Sequence, residues 1–235
     1  MTIEGASLRE PAPPLAGLLG DGLSYDPDAI AMVSAERQVS WRELDGESDS
    51  LAAAYLGLGL APGDRVASLM PNRIGLVVHY LACFKAGLVV TPLNYRYQGP
   101  EIDHALKVSG ASVLVAHAER DDMLTASELA AVLPLGRINY GATEGTHRQL
   151  EELMSVEGST PDLPRPRPET PAFIFFTSGS TGKPKGVTHT HATFGWIIAS
   201  AVAGLGLTPD DVFLPATSAS HVAASSFSFA GLAAG

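Results

Sequence analysis

The sequence predicts an α/β fold, a largely parallel sheet flanked by helices. Two observations carry that prediction. From residue 65 onward, short apolar runs of strand length alternate with longer stretches whose apolar residues recur at helical spacing. Turn and capping residues punctuate each change of period, so successive strands are joined by helical crossovers, expected to be right-handed. At 235 residues the chain is long enough to bury a sizeable core.

Residues 1–25, with Pro11, Pro13 and Pro14, read as an irregular lead-in. Ala31 to Val33 and Gln38 to Val39 then have the makings of a short hairpin. Ser40 followed by Glu43 has the spacing of a capping box, and Leu44, Leu51, Tyr55 and Leu58 repeat at helical intervals, giving a helix of about four turns. Ala61-Pro62-Gly63-Asp64 is a turn, Arg65 to Met70 a strand, Ile74 to Ala86 a helix, and Leu88 to Thr91 a strand closed by Pro92. That run is a βαβ unit. A second pass follows: Pro100 sits where a first helical residue tolerates it, Ile102, Ala105 and Leu106 share a face, Gly110 stops the helix, and Val113 to Ala116 is again a strand. Residues 119–155 hold two weaker helices around a strand at Arg137 to Tyr140.

Five prolines between Glu157 and Pro171 block regular structure and mark a linker. The expected organisation is an N-terminal α/β subdomain over residues 1–156, the linker over 157–171, and the start of a second α/β subdomain over 172–235.

Composition excludes several function classes. The net charge is −10 and no Lys/Arg run is present, so the electrostatic footprint of nucleic-acid binding is missing. The single cysteine, Cys83, has no internal disulfide partner and lies in an apolar stretch, where it reads as a small buried hydrophobe. The N-terminus lacks the charged start and unbroken apolar run of a secretory signal, and a cytoplasmic location is expected. Two apolar stretches, 192–207 and 212–235, fall short of a membrane span in length or carry Pro215, His221 and several serines, so buried helices or strands are expected there.

Chemistry concentrates in one segment. Phe173-Ile174-Phe175-Phe176 is an apolar strand, followed by Thr177-Ser178-Gly179-Ser180-Thr181-Gly182-Lys183-Pro184-Lys185-Gly186 and a helical stretch from about Thr190. The order expected is strand, polar glycine loop, helix. The chain has four lysines, Lys85, Lys107, Lys183 and Lys185, and two of them lie in this loop. Glycines let backbone N–H groups approach an anion, hydroxyls add short donors and lysines supply positive charge, which together describe a polyphosphate cradle. The loop is not a Walker A motif: two residues separate Gly179 from Gly182, and Pro184 follows Lys183. Gly57, Gly59 and Gly63 have the wrong spacing for a dinucleotide fingerprint, and no Gly-x-Ser-x-Gly elbow is present. His189-x-His191 offers two metal ligands with no third at matching spacing and reads as polar surface.

The segment from Phe176 to Gly186 resembles the signature of the adenylate-forming superfamily: acyl-CoA synthetases, luciferases and peptide-synthetase adenylation domains. Pro62-Gly-Asp-Arg-Val66, Pro71-Asn72, Lys85-Ala-Gly87, Pro92-Leu-Asn-Tyr-Arg96, Glu101-Ile102 and Ser109-Gly-Ala111 are similar to the N-terminal region of fatty-acyl and aryl CoA ligases. The resemblance runs from about Ser24 to the last residue. It implies that Thr177, Ser178, Gly179, Ser180, Thr181, Gly182 and Lys185 wrap the β- and γ-phosphates of ATP, with Lys183 at a variable position. His221 looks like the histidine of the family's next motif, near the acyl pocket and the nucleotide; the bland alternative is a partly buried histidine without a chemical role. Lys185 and His221 are thus the catalytic candidates.

The implied reaction activates a carboxylic acid with ATP and Mg2+ as acyl-AMP and transfers the acyl group to coenzyme A. A fatty acid is the first expectation for the acid, because the N-terminal segments resemble those ligases. The Thr-Glu motif, the ribose-binding aspartate, the hinge and the mobile C-terminal domain are missing up to Gly235. The chain is therefore expected to be the N-terminal piece of such an enzyme, inactive alone, with an uncovered apolar face that drives self-association or a homodimer. The alternatives are a non-catalytic ATP- or pyrophosphate-binding module, and another adenylate-forming enzyme.

Overall fold

The computed structural model describes residues 14–141, 147–155, 162–177 and 183–235. A short helix, α1 (Gly20–Tyr25), precedes the expected hairpin, in which β1 (Ile30–Val33) and β2 (Gln38–Ser40) pair antiparallel. Ser40 then caps α2 (Trp41–Gly57). Its hydroxyl accepts from the Glu43 N–H, while the Glu43 carboxylate accepts from the Ser40 N–H at 2.7 Å, the reciprocal pair that the spacing predicts.

The βαβ unit follows as expected, with β3 (Arg65–Leu69), α3 (Ile74–Ala86) and β4 (Val89–Pro92), the two strands parallel. Next, α4 (Gly99–Ser109) leads to β5 (Val113–His117), which pairs with β3 on its other side. Pro100 lies in the first turn of α4, and Gly110 ends the helix in a left-handed conformation (φ 62°) that a side chain would strain. The chain continues through α5 (Asp121–Thr125), β6 (Arg137–Tyr140), β7 (Arg148–Gln149) and α6 (Leu150–Met154). Beyond residues 162–167, which form no regular element, come β8 (Pro171–Thr177), β9 (Lys185–Thr190), α7 (His191–Leu205) and α8 (Val222–Ala234).

The seven-stranded sheet runs in the order β7-β6-β5-β3-β4-β8-β9. Neighbours are parallel except β8 and β9. After β4 the chain reverses its direction of growth across the sheet, and right-handed crossovers in opposite directions put α3 and α4 on opposite faces. The alternation of side chains along the strands matches this. Val66, Val90, Val113 and Ile138 share a core with α2, α3, α7 and α8, whereas Ala67, Leu69, Leu114 and Ala116 pack with Ile102 and Leu106 of α4. The strands on both sides of the proline-rich segment thus belong to one sheet, since β8 returns to lie beside β4.

Polar groups buried between α2 and α3 are satisfied in part. The Lys85 ammonium is buried and donates to Asp45 and Asp49, each at 2.7 Å. Six residues back on α3, His79 lies with Nδ1 2.8 Å from the Tyr55 hydroxyl and 3.7 Å from Cys83 Sγ. Cys83 is buried, as expected, and burial pushes its thiol pKa up, the opposite of an activated nucleophile.

Burial also lowers the pKa of His79 to about 3 and that of His191 to about 4. Between those values and the ordinary 6.5 the unfolded chain binds protons that the folded chain does not. The stability these neutral imidazoles allow is therefore present above pH 6.5 and lost as pH falls toward their folded values. We expect the urea midpoint to drop between pH 7.5 and 5, the unfolding free energy falling by roughly 1 kcal/mol per pH unit for each imidazole below its ordinary pKa. Equal midpoints at the two pH values would contradict the burial of neutral histidines.

Candidate active site

In an open parallel sheet the carboxyl ends of the strands form the crevice where ligands bind. The sequence motifs divide between the two edges of this sheet. Pro62-Gly-Asp-Arg-Val66 and Ser109-Gly-Ala111 meet at the amino edge, before β3 and β5. There the Arg65 guanidinium donates to the Gly110 carbonyl at 2.7 Å and to the Ser109 carbonyl at 3.1 Å. Lys85-Ala-Gly87 precedes β4 at the same edge, its lysine paired as described. These motifs fasten crossovers to strands at the edge opposite the carboxyl ends.

The carboxyl edge collects the others. Pro71-Asn72 follows β3, Asn94-Tyr95-Arg96 follows β4, and Thr177 ends β8. Tyr95 donates its hydroxyl to Glu119 at 2.7 Å and lies beneath the Arg120 guanidinium, 5.1 Å from the ring centre. Burial and the Glu119 carboxylate push its pKa up to about 12. Tyr95 is therefore a neutral hydrogen-bonding group and not a base.

The polar loop differs from the order expected. Strand, loop, helix becomes strand, loop, antiparallel strand, helix: Thr177 pairs with Lys185 and Phe176 with Gly186, so the loop is the connection of a β8–β9 hairpin. The helix comes later, α7 being capped by Thr190, whose hydroxyl accepts from the Thr193 N–H. The loop consequently leads into a strand and not into a helix N-terminus. The signal for β9 was present in Val187, Thr188 and Thr190, β-branched residues that favour a strand over an early helix start.

Ser178, Gly179, Ser180, Thr181 and Gly182 lie outside the described residues. Thr177, Lys183 and Lys185, which flank them, are exposed. The Lys and Arg ion pairs among the described residues engage Lys85, Arg37, Arg42, Arg65, Arg73 and Arg137, and neither loop lysine is among them.

His221 stands at the N-terminus of α8 and is exposed, not partly buried. The segment before it is fixed by residues the sequence alone did not single out for that purpose. Asn72, directly beyond β3, donates to the Thr217 carbonyl and accepts from the Ala219 N–H, both at 2.8 Å. The Tyr80 and Ser225 hydroxyls both donate to the Ala219 carbonyl, at 3.2 and 2.6 Å. Asn72 thereby ties the His221 segment to the same sheet edge from which the hairpin loop emerges, through partners 145 and 147 residues away.

Two other expectations change. His191 is buried against Phe84, and His189 packs on Phe175 and Phe194, so neither is simply polar surface. Val212 and Leu214 are 97% and 85% exposed, in a stretch without regular structure, where a buried element was expected.

The AMP-binding enzyme family model matches residues 23–235. This chain is an AMP-binding enzyme family member. Feruloyl-CoA synthase from Amycolatopsis sp is 36% identical over 201 residues, covering 84% of this chain and 38% of the relative. The phosphinothricin tripeptide synthetase PhsC of Streptomyces viridochromogenes is 32% identical over 80% of this chain and 16% of its own length. The chain therefore spans well under half of the relatives it matches. Among solved structures, a long-chain-fatty-acid CoA ligase assignment from Rhodopseudomonas palustris superposes with a TM-score of 0.83 over 94% of this chain and 56% of its own, at 22% identity, a likeness of fold. ATP-bound MatB from the same organism matches with a TM-score of 0.79 and 27% identity over 93% of this chain and 44% of its own.

Family membership makes this chain a relative of synthetases and ligases. Among the described residues no group of three or more His, Cys, Asp or Glu stands together. No described helix is long and apolar enough to cross a membrane.

Proposed function

We propose that this chain is the ATP-gripping part of an acid–thiol ligase that converts a carboxylic acid to acyl-AMP and passes the acyl group to coenzyme A. The observation that supports this reading is the β8–β9 hairpin. It emerges at the carboxyl edge of a parallel sheet and presents Thr177, Lys183 and Lys185 around the hydroxyl- and glycine-rich loop. The carboxylate attacks the α-phosphorus of ATP in line and pyrophosphate leaves. The loop's donors orient the triphosphate and neutralise charge on the departing pyrophosphate, which is positioning and electrostatic stabilisation. His221 is assigned to the acyl side of the site, on the segment held by Asn72.

A fatty acid is the proposed substrate class. An aryl acid is the second reading, favoured by the 36% identity to feruloyl-CoA synthase. Acid-dependent exchange of labelled pyrophosphate into ATP, run with the protein that carries this chain and a panel of both acid types, tests the proposal. Exchange with one class identifies the substrate. ATP binding without exchange for any acid would favour the non-catalytic binding module instead.

Val212, Leu214 and the part-exposed Leu205, Val222 and Phe227 leave apolar surface uncovered on the 235-residue chain. We expect this chain to self-associate, so that light scattering reports a mass rising with concentration above that of one chain. A constant single-chain mass would oppose it.

A further inference from the structure

The limb of the hairpin that carries both lysines runs beside α4 and is tied to it by one hydrogen bond. His104 Nε2 lies 2.8 Å from the Pro184 carbonyl oxygen, a contact across 80 residues of chain. Four residues on, Val108 Cγ1 comes within 3.7 Å of where a Cβ on Gly186 would stand. Residues at i and i+4 share a helix face, so this face of α4 lies along the limb from Pro184 to Gly186. Phe176, paired with Gly186, packs into the core beneath α4, which seats the hairpin from the same side.

The bond is placed where the strand ladder gives out. The last registered pair of the hairpin is Thr177 with Lys185, so the Pro184 carbonyl lies one residue beyond it. A carbonyl only accepts, so His104 Nε2 carries the proton, which assigns the tautomer from the partner. The Thr177 hydroxyl reaches the Lys185 carbonyl only at 3.5 Å, a weak contact. His104 is therefore the strong polar tie on the peptide between the two loop lysines.

We propose that His104 is a positioning residue for the phosphate loop: by holding the Pro184 carbonyl it fixes the limb from which Lys183 and Lys185 are presented to the phosphates of ATP. The ligand half of this inference rests on the function proposed above; the anchoring half does not. His104→Leu removes the donor at similar bulk, and His104→Gln keeps an N–H donor on a side chain of comparable reach.

Two readouts on the 235-residue chain separate the halves. The first is the rate of trypsin cleavage after Lys185, the Lys183–Pro184 bond being resistant. The second is the Kd for ATP by calorimetry. Losing one hydrogen bond of ordinary strength corresponds to about a five-fold change in either. The expected result is about five-fold faster cleavage and five-fold weaker ATP binding for His104→Leu, with His104→Gln near the parent and both melting temperatures unchanged. Equal cleavage of His104→Leu and the parent overturns the proposal. So do equal losses in both variants accompanied by lower melting temperatures, which would mark a merely structural residue. A parent chain that binds no ATP removes the phosphate reading, and the cleavage ratio then still decides the anchor.

Discussion

Replacing Lys185 by alanine is expected to lower acid-dependent exchange of pyrophosphate into ATP by about 100-fold, while thioester formation from supplied acyl-AMP stays nearly intact. The magnitude is that of removing one preorganised donor from a site of developing negative charge, roughly 3 kcal/mol. Lys185 is exposed at the first position of β9, among the described residues it has no carboxylate partner, and its strand position is fixed by pairing with Thr177. The substitution therefore removes charge without exposing a buried group, and the melting temperature should hardly move. The two half-reactions respond differently because pyrophosphate leaves in the first and is absent from the second. An equal loss in both would refute the assignment of Lys185 to the leaving group.

The largest effect on stability is expected at Phe173, where truncation to alanine should cost about 4 kcal/mol. Phe173 is fully buried and contacts the rings of Tyr80, Phe84, Phe175 and Phe194, linking β8 to α3 and α7. It also makes the single registered pair between β8 and β4, opposite Val90. A strand joined to its neighbour by so short a ladder is held mainly by its side chains. Removing the ring should therefore loosen the hairpin together with the core, and the denaturant midpoint and ATP affinity should fall together. Phe175→Leu, next on the same face and close in volume, should cost far less. A Phe173→Ala variant with an unchanged midpoint would show that hydrogen bonds alone seat the hairpin.

These two residues stand for two kinds of legibility. Lys185 was visible in the sequence as chemistry, because two of four lysines fall in one glycine- and hydroxyl-rich loop. Phe173 was visible only as an apolar strand residue, and its part in joining β8 to the sheet depends on which strand lies beside it.

Local physics wrote the elements themselves. The Ser40–Glu43 capping box, the apolar period of α3 ending at Gly87, and the stop of α4 at Gly110 each act over a few residues, so their signals survive in the linear chain. The alternation of strand and helix then set the α/β class, and the Phe176–Gly186 segment pointed to the phosphate chemistry. Tertiary structure decided the rest: the strand order with its reversal after β4, the antiparallel β9, the gathering of Asn72 with Thr217 and Ala219, and the tie from His104 to Pro184. Each of these joins groups distant in the chain or ranks one pairing of strands above another. Such choices are settled by side-chain packing and by the entropy of closing long loops, which leave no periodic trace in any single segment.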